Sequence, residues 1–359
     1  MPSSGSPANS ARNAVRVGID LQLAAGTSTG IGEYASGLLA ALQAAGVDAV
    51  ALRDERFDPW RFDRRVLWDQ VLLPLAARRA HVELVHYASG TMPLLAARRA
   101  VVTVHDVAWL RVQAHARPYA RAYFGRFSLS RYRAATRIMV DSNFSRDELL
   151  AVAPELEGTR IDVVYPGVAA DVGSVLRKRD DAEPFVLAVG TVEPRKNLET
   201  LVRAIAPLPR LRLISVGPPT PYASHCEDLA RELGIENRVE LRGYVPRAEI
   251  LELYAGASVA AVPSRYEGFG YAAAQALCAG VPLIAADAAS LPEIVAGDAP
   301  LLPPDDDAVW TGALATLLAD RDAAESRASA LRAPSIARFS WSQSASAALR
   351  SYTAAFEDA

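Results

Sequence analysis

The chain has 359 residues, enough for two cores of ordinary domain size, and 51% of it is hydrophobic. A net charge of −3 gives no overall field favouring nucleic acid, and no run reaches the ~18 uninterrupted apolar residues of a membrane span. Cys226 and Cys278 lie in unrelated segments, which argues against a disulfide framework or metal knuckle and fits a reducing cytoplasm.

Residues 1–13 are small and polar with a single Arg, the composition of a disordered tail without the apolar core of a signal peptide. Strand-like apolar runs then recur at 15–20, 47–52, 82–87, 100–105, 137–141 and 161–165, with helical stretches between them. That alternation predicts a parallel sheet covered by helices on both faces. Residues 26–32, Gly-Thr-Ser-Thr-Gly-Ile-Gly, follow the first strand and open a helix, so Gly30 and Gly32 belong either to a plain turn or to a backbone cradle for a ligand. A dinucleotide fingerprint needs a third Gly, and Gly37 falls two positions late. His105-Asp106 closes the run 100–105, where a lone His is most simply a satisfied core residue. Between Val107 and Val140 stand seven Arg, no acidic residue, and Tyr119, Tyr123, Phe124, Phe127 and Tyr132. The simplest reading is a helix with aromatics inward and Arg in water; the alternative is a face for anionic lipid or a lipid-diphosphate acceptor.

The charged stretch 171–183 reads as a linker between a first domain, 14–170, and a second, 184–338. In the second, runs recur at 185–189, 211–216, 238–241, 258–262, 282–286 and 300–302. The first of them turns through Gly190 into Glu193–Asn197 and a helix. Adjacent Arg195 and Lys196 at such a turn suit a diphosphate, because Arg forks onto two oxygens and Lys adds a point charge. Only two of the 38 basic residues are Lys, so Lys196 is poorly explained as general surface charge. Tyr244-Val245 follows the run 238–241 and reads first as a turn. The run 258–262 leads to Glu267-Gly268-Phe269-Gly270 and an alanine-rich helix closed by Gly280. A carboxylate and two glycines at a helix N-terminus make an anion site with an acid beside it. Gln275 lies eight residues beyond Glu267, about 12 Å and roughly 80° around the helix, which suits the two ends of an extended nucleotide sugar. Glu293 reads as a favourable first-turn acid, and Asp305–Asp307 as a helix cap in preference to a metal site. Trp341–Phe356 forms a last helix within a closing segment, 339–359.

These motifs resemble the retaining glycosyltransferases of family 4, whose signature is a Glu, seven residues and a second Glu. The resemblance spans roughly residues 15–357 and implies an α/β fold of GT-B type. That fold has two doubly wound Rossmann-like domains, an interdomain cleft, and a C-terminal helix crossing back to the first domain. It also implies that Glu267 lies by the donor sugar, that Arg195 and Lys196 neutralise the leaving diphosphate, and that Gln275, which replaces the second Glu, faces the ribose. His105 is implied to border the donor sugar, Tyr244 and Val245 the base, and Gly30, Gly32, Gly190, Gly268, Phe269 and Gly270 the rest of the donor. Bacterial mannosyltransferases of surface polysaccharide assembly are the most similar members. The implied donor is GDP-mannose, used as substrate with no cofactor and no metal, and the implied acceptor is a glycan or polyprenyl-diphosphate-linked glycan. The implied setting is the cytoplasm, with peripheral contact at the inner membrane and no nucleic acid. A nucleotide-sugar epimerase or an inactive nucleotide-binding subunit of the same architecture is the alternative. A pyridoxal-phosphate phosphorylase lacks a suitable Schiff-base Lys.

Overall fold

The structure is a computed structural model that describes residues 15–24, 30–58, 60–112, 118–156, 160–179 and 182–358. The expected tail, 1–13, and residues 26–29 of the glycine loop lie outside the described residues.

Every strand expected from an apolar run forms, usually shortened at its ends by a residue or two. The first sheet holds β1 (Val17–Asp20), β2 (Ala49–Leu52), β3 (Leu84–Tyr87), β4 (Ala100–Val104), β5 (Arg137–Val140) and β6 (Ile161–Val163). Its order is β2-β1-β3-β4-β5-β6, and its ladders run parallel. The second sheet holds β7 (Phe185–Val189), β8 (Arg212–Val216), β9 (Val239–Leu241), β10 (Val259–Val262), β11 (Leu283–Ala286) and β12 (Leu301–Leu302). It too is parallel, in the order β12-β11-β10-β7-β8-β9. Central strands such as β4 and β10 are buried along their whole length, as continuous apolar runs require when helices cover both faces.

Each sheet reverses its winding once, between β1 and β3 and between β7 and β10. In open parallel sheets the crevice outside the C-terminal strand ends at such a reversal is where ligands bind. The two crevices contribute residues to one cavity.

The helix Trp341–Glu357 crosses back onto the first sheet, where Ala345, Ala348, Tyr352 and Ala355 share a core with Val17, Tyr34 and Leu38. Gly37 has its reason here: a Cβ on it would sit 2.2 Å from the Trp341 ring. The charged stretch 171–183 is less of a linker than its composition predicts. Val172 and Val175 are buried in the second core, and Arg177 donates to the carbonyls of Tyr254, Ala255 and Ala257.

Candidate active site

The turns after β7 and β10 bring the charged residues together. After β7 the chain passes Gly190 into the short helix Pro194–Lys196, and Asn197 follows with left-handed backbone, φ 55°. Asn197 is fully buried and its amide donates to the carbonyls of Pro263 and Pro304, while Arg265 N–H donates to the Arg195 carbonyl at 2.8 Å. The two turns are thereby braced against each other. Lys196 Nζ lies 2.5 Å from Glu267 Oε1, Arg195 Nη1 lies 3.4 Å from Oε2, and Ser264 Oγ donates to Oε1 at 2.8 Å. Arg195 also pairs with Glu193 at 2.7 Å and donates to the Tyr266 carbonyl. Burial alone would raise the Glu267 pKa; the charges of Lys196 and Arg195 and the hydrogen bonds from Lys196 and Ser264 outweigh it and hold the carboxyl below its ordinary range. Glu267 is therefore an ionised, buried counter-ion to both cations.

Beyond Glu267 the chain enters the helix Tyr271–Ala279 through Gly268 and Gly270. A Cβ on Gly268 would lie 2.1 Å from the His105 carbonyl, so only glycine lets the loop press against the first domain. The Gly268 carbonyl accepts from Ser142 Oγ at 2.5 Å and Ser145 Oγ at 2.9 Å, two hydroxyls of that domain. Phe269 packs among Tyr165, Tyr271 and Phe339. Farther along, Gln275 is buried and its Oε1 accepts from Tyr254 Oη at 3.1 Å.

His105 is held differently from an ordinary site histidine. Its Nδ1 faces Asp141 Oδ2 at 2.6 Å and its Nε2 faces the Ala88 carbonyl at 2.8 Å. Both partners are acceptors, so the ring satisfies both only as an imidazolium. Burial opposes that charge, but Asp141, the Ala88 carbonyl and Asp106 prevail and raise the pKa. The core residue His86 shows the opposite balance: burial, then the charge of His105, push it down to about 3. With both nitrogens engaged inside the protein, His105 acts on the cleft through its charge and through the loops it ties. Because its folded pKa is raised above the unfolded value near 6.5, its stabilising contribution is complete below about pH 6.5 and declines as pH rises through the folded pKa. Denaturant unfolding at pH 6 and pH 9 checks this: the loss of stability on raising pH should be larger for the native chain than for His105→Gln. An equal loss in both would refute the imidazolium.

The interdomain cavity has a volume of about 570 Å³. Of the residues picked out by sequence, Gly30, His105, Gly190, Arg195, Lys196, Tyr244, Val245, Gly268, Phe269, Gly270, Glu267 and Gln275 all line it. Gly32 is not among the lining residues; it is buried against the Gln22–Ala24 turn, where a Cβ would meet the Leu23 carbonyl at 2.7 Å. The cavity also takes in Asp106 beside His105, and Glu33, Trp109, Asp141 and Arg247, which the sequence did not single out as ligands.

Glu293 stands in the first turn of its own helix as expected, but its carboxylate caps a helix of the other domain. Its carboxylate accepts from Asn143 N–H (2.8 Å), Asn143 Nδ2 (2.9 Å), Phe144 N–H (3.1 Å) and Tyr165 Oη (2.6 Å). Glu293→Ala removes that cap from the helix Asn143–Val152 and is expected to lower unfolding free energy by about 1–2 kcal/mol in urea titration. An unchanged midpoint would show the contact to be dispensable. Asp305 pairs with Arg265 at 2.7 Å and Asp306 accepts from Val309 N–H, as a helix cap does. Among the described residues, no group of three or more His, Cys, Asp or Glu is placed to hold a metal ion.

Two parallel six-stranded sheets facing one charged cleft define the GT-B class. A family model described as Glycosyltransferase Family 4 matches residues 9–172, and one described as Glycosyl transferases group 1 matches residues 176–332. Each of the two sheets thus falls within one of the two matched models. Sucrose-phosphate synthase from Thermosynechococcus elongatus superposes with a TM-score of 0.76 at 21% identity, over 96% of this chain and 100% of that one. Anabaena Alr3699/HepE in complex with UDP-glucose superposes with a TM-score of 0.72 at 19% identity, over 94% and 99%. These likenesses establish the fold. In sequence, D-inositol 3-phosphate glycosyltransferase from Mycobacteroides abscessus is 34% identical over 238 residues, 62% of this chain and 53% of that protein. The enzyme of that name from Nocardia farcinica is 38% identical over 220 residues, 55% and 48%. The chain spans about half the length of these curated relatives.

Proposed function

We propose that this protein transfers a hexose from a nucleoside diphosphate sugar to an acceptor held by the first domain, with retention of configuration. The observation that carries the reading is the Glu267 carboxylate held between Lys196, Arg195 and Ser264 in the cleft. As the glycosidic bond to phosphate breaks, negative charge grows on the diphosphate and positive charge on the sugar. Lys196 and Arg195 stabilise the first, with the N-terminus of the helix Tyr271–Ala279, and Glu267 the second. A diphosphate competes with Glu267 for the two cations, so donor binding turns the carboxylate toward the sugar. Front-face transfer assisted by the leaving phosphate is the route we favour. A covalent route would have to recruit a second lining carboxylate; of these, Asp106 Oδ1 already accepts from Ala108 N–H and Asp141 Oδ2 faces His105 Nδ1.

For the acceptor, the first-domain wall offers Ser89, Thr91, Trp109, Phe124 and Tyr132 and, among the described lining residues, no Arg or Lys. Hydroxyls and ring faces suit a neutral sugar, whereas the phosphorylated polyol in the relatives' names would need a cation with free donors there, and His105, the cation of that wall, spends both its N–H groups on Asp141 and the Ala88 carbonyl. A glycan or polyprenyl-diphosphate-linked glycan acceptor in surface polysaccharide synthesis, with GDP-mannose as donor, remains our reading; the relatives' acceptor is the second one. Peripheral membrane contact is favoured by Leu67, Val71 and Leu75, which are exposed at four-residue spacing beside the exposed Leu94, whose N–H bonds Gln70. No helix among the described residues is long and apolar enough to cross a membrane.

Calorimetry with GDP, UDP and ADP in the presence of EDTA tests the donor site. One of the three should bind well ahead of the others without metal. Failure of all three would sink the transferase reading, and donor turnover without acceptor would favour the epimerase.

A further inference from the structure

Gln275 is a poor terminus for a ribose. A vicinal diol donates two hydrogen bonds, but the Gln275 amide oxygen has one lone pair left beside the bond it accepts from Tyr254 Oη, and its nitrogen only donates, so it can take one hydroxyl and not both. The cavity that Gln275 lines contains another acid on the facing wall. Glu33 stands in the first turn of the helix Gly30–Ala44. Its Oε1 is buried, lies 3.6 Å from Arg247 Nη1, and takes no hydrogen bond from any described residue. Arg247 is committed elsewhere, forking onto both oxygens of Asp171 at 3.0 and 2.6 Å. Burial, only partly offset by Arg247, raises the Glu33 pKa. Arg247 and Tyr254, the latter bonded to Gln275, belong to one helix, Arg247–Gly256, and Arg247 lines the cavity with Glu33 and Gln275.

We infer that Glu33 supplies the carboxylate that accepts the ribose hydroxyls of the nucleotide, a role moved from the second domain to the first. The inference rests on the donor reading above. On that reading the diphosphate lies at Arg195 and Lys196 and the nucleoside runs along the helix Tyr271–Ala279, whose Gln275 lines the same cavity. There Glu33 closes over the diol from the opposite wall, so that nucleotide binding draws on both domains. Its unsatisfied oxygen is the acceptor a bound ribose would fill.

The test is calorimetry with whichever of GDP, UDP and ADP binds tightest, and with its 2′,3′-dideoxy counterpart. The native chain should prefer the ribonucleotide by about tenfold or more, as hydrogen bonds to a charged acceptor imply. Glu33→Gln should lose most of that preference while binding the dideoxy nucleotide as the native chain does. Adding Gln275→Glu to that variant should restore it. Equal affinity of the native chain for both nucleotides overturns the inference, as does a Glu33→Gln variant that weakens both alike. If the native chain binds neither, the donor reading fails and this inference with it.

Discussion

Glu267→Gln is expected to lower turnover on the order of 10²- to 10³-fold, the scale on which single preorganised electrostatic groups act in enzyme sites, while leaving nucleoside diphosphate affinity within a few-fold. Gln is isosteric, so Ser264 keeps its acceptor and the braced turns keep their shape. Only the charge is lost. Because the carboxyl is held below its ordinary range by the cations that overcome its burial, it is ionised throughout the neutral range, and no modest change of pH substitutes for it. In the ground state the charge serves Lys196 and Arg195; a diphosphate can serve them equally well, so affinity survives its removal. In the transition state the sugar carries positive charge that a diphosphate on the far side cannot fully balance. A loss confined to kcat is the signature of such an interaction. Steady-state kinetics alongside calorimetry decides the matter: a variant that loses affinity as steeply as turnover would place Glu267 on the nucleotide.

The parallel strands were legible because burial on both faces leaves continuous β-branched and apolar runs, and the runs at 100–105 and 258–262 carry no competing signal. Arg195, Lys196 and Glu267 were legible for a related reason. Each stands at the C-terminal end of a strand, and the winding of the sheet brings those ends together without further information. What stayed hidden depends on how one domain meets the other. Glu33 and Gln275 are separated by most of the chain and line one cavity, from opposite walls, only after both sheets have formed. Glu293 looks like a first-turn acid of its own helix until Asn143 of the first domain is seen above it. His105 was noticed, but that both its nitrogens face acceptors follows from Asp141 and Ala88, whose approach no local pattern announces. The 171–183 stretch joins the two sheets, as its composition predicts, but the burial of Val172 and Val175 in the second core is hidden by the charges around them.

Lys196→Ala is expected to weaken nucleoside diphosphate binding by roughly 2–3 kcal/mol, about 30- to 150-fold, and Arg195→Ala by a similar amount. A charge-assisted contact to a desolvated diphosphate supplies part of this. The structure adds a second part for Lys196. Its removal leaves the buried Glu267 carboxylate with Arg195 at 3.4 Å and Ser264 as partners, so an arriving diphosphate meets an anion that one cation must share. That second part can be isolated. In Lys196→Ala/Glu267→Gln the repulsive carboxylate is neutral, and nucleotide affinity should recover partway toward the native value even though turnover stays low. If Lys196 only propped up the turn, neutralising Glu267 would restore nothing. A double variant as weak as Lys196→Ala alone would therefore remove the competition between carboxylate and diphosphate on which the proposed donor-binding step depends.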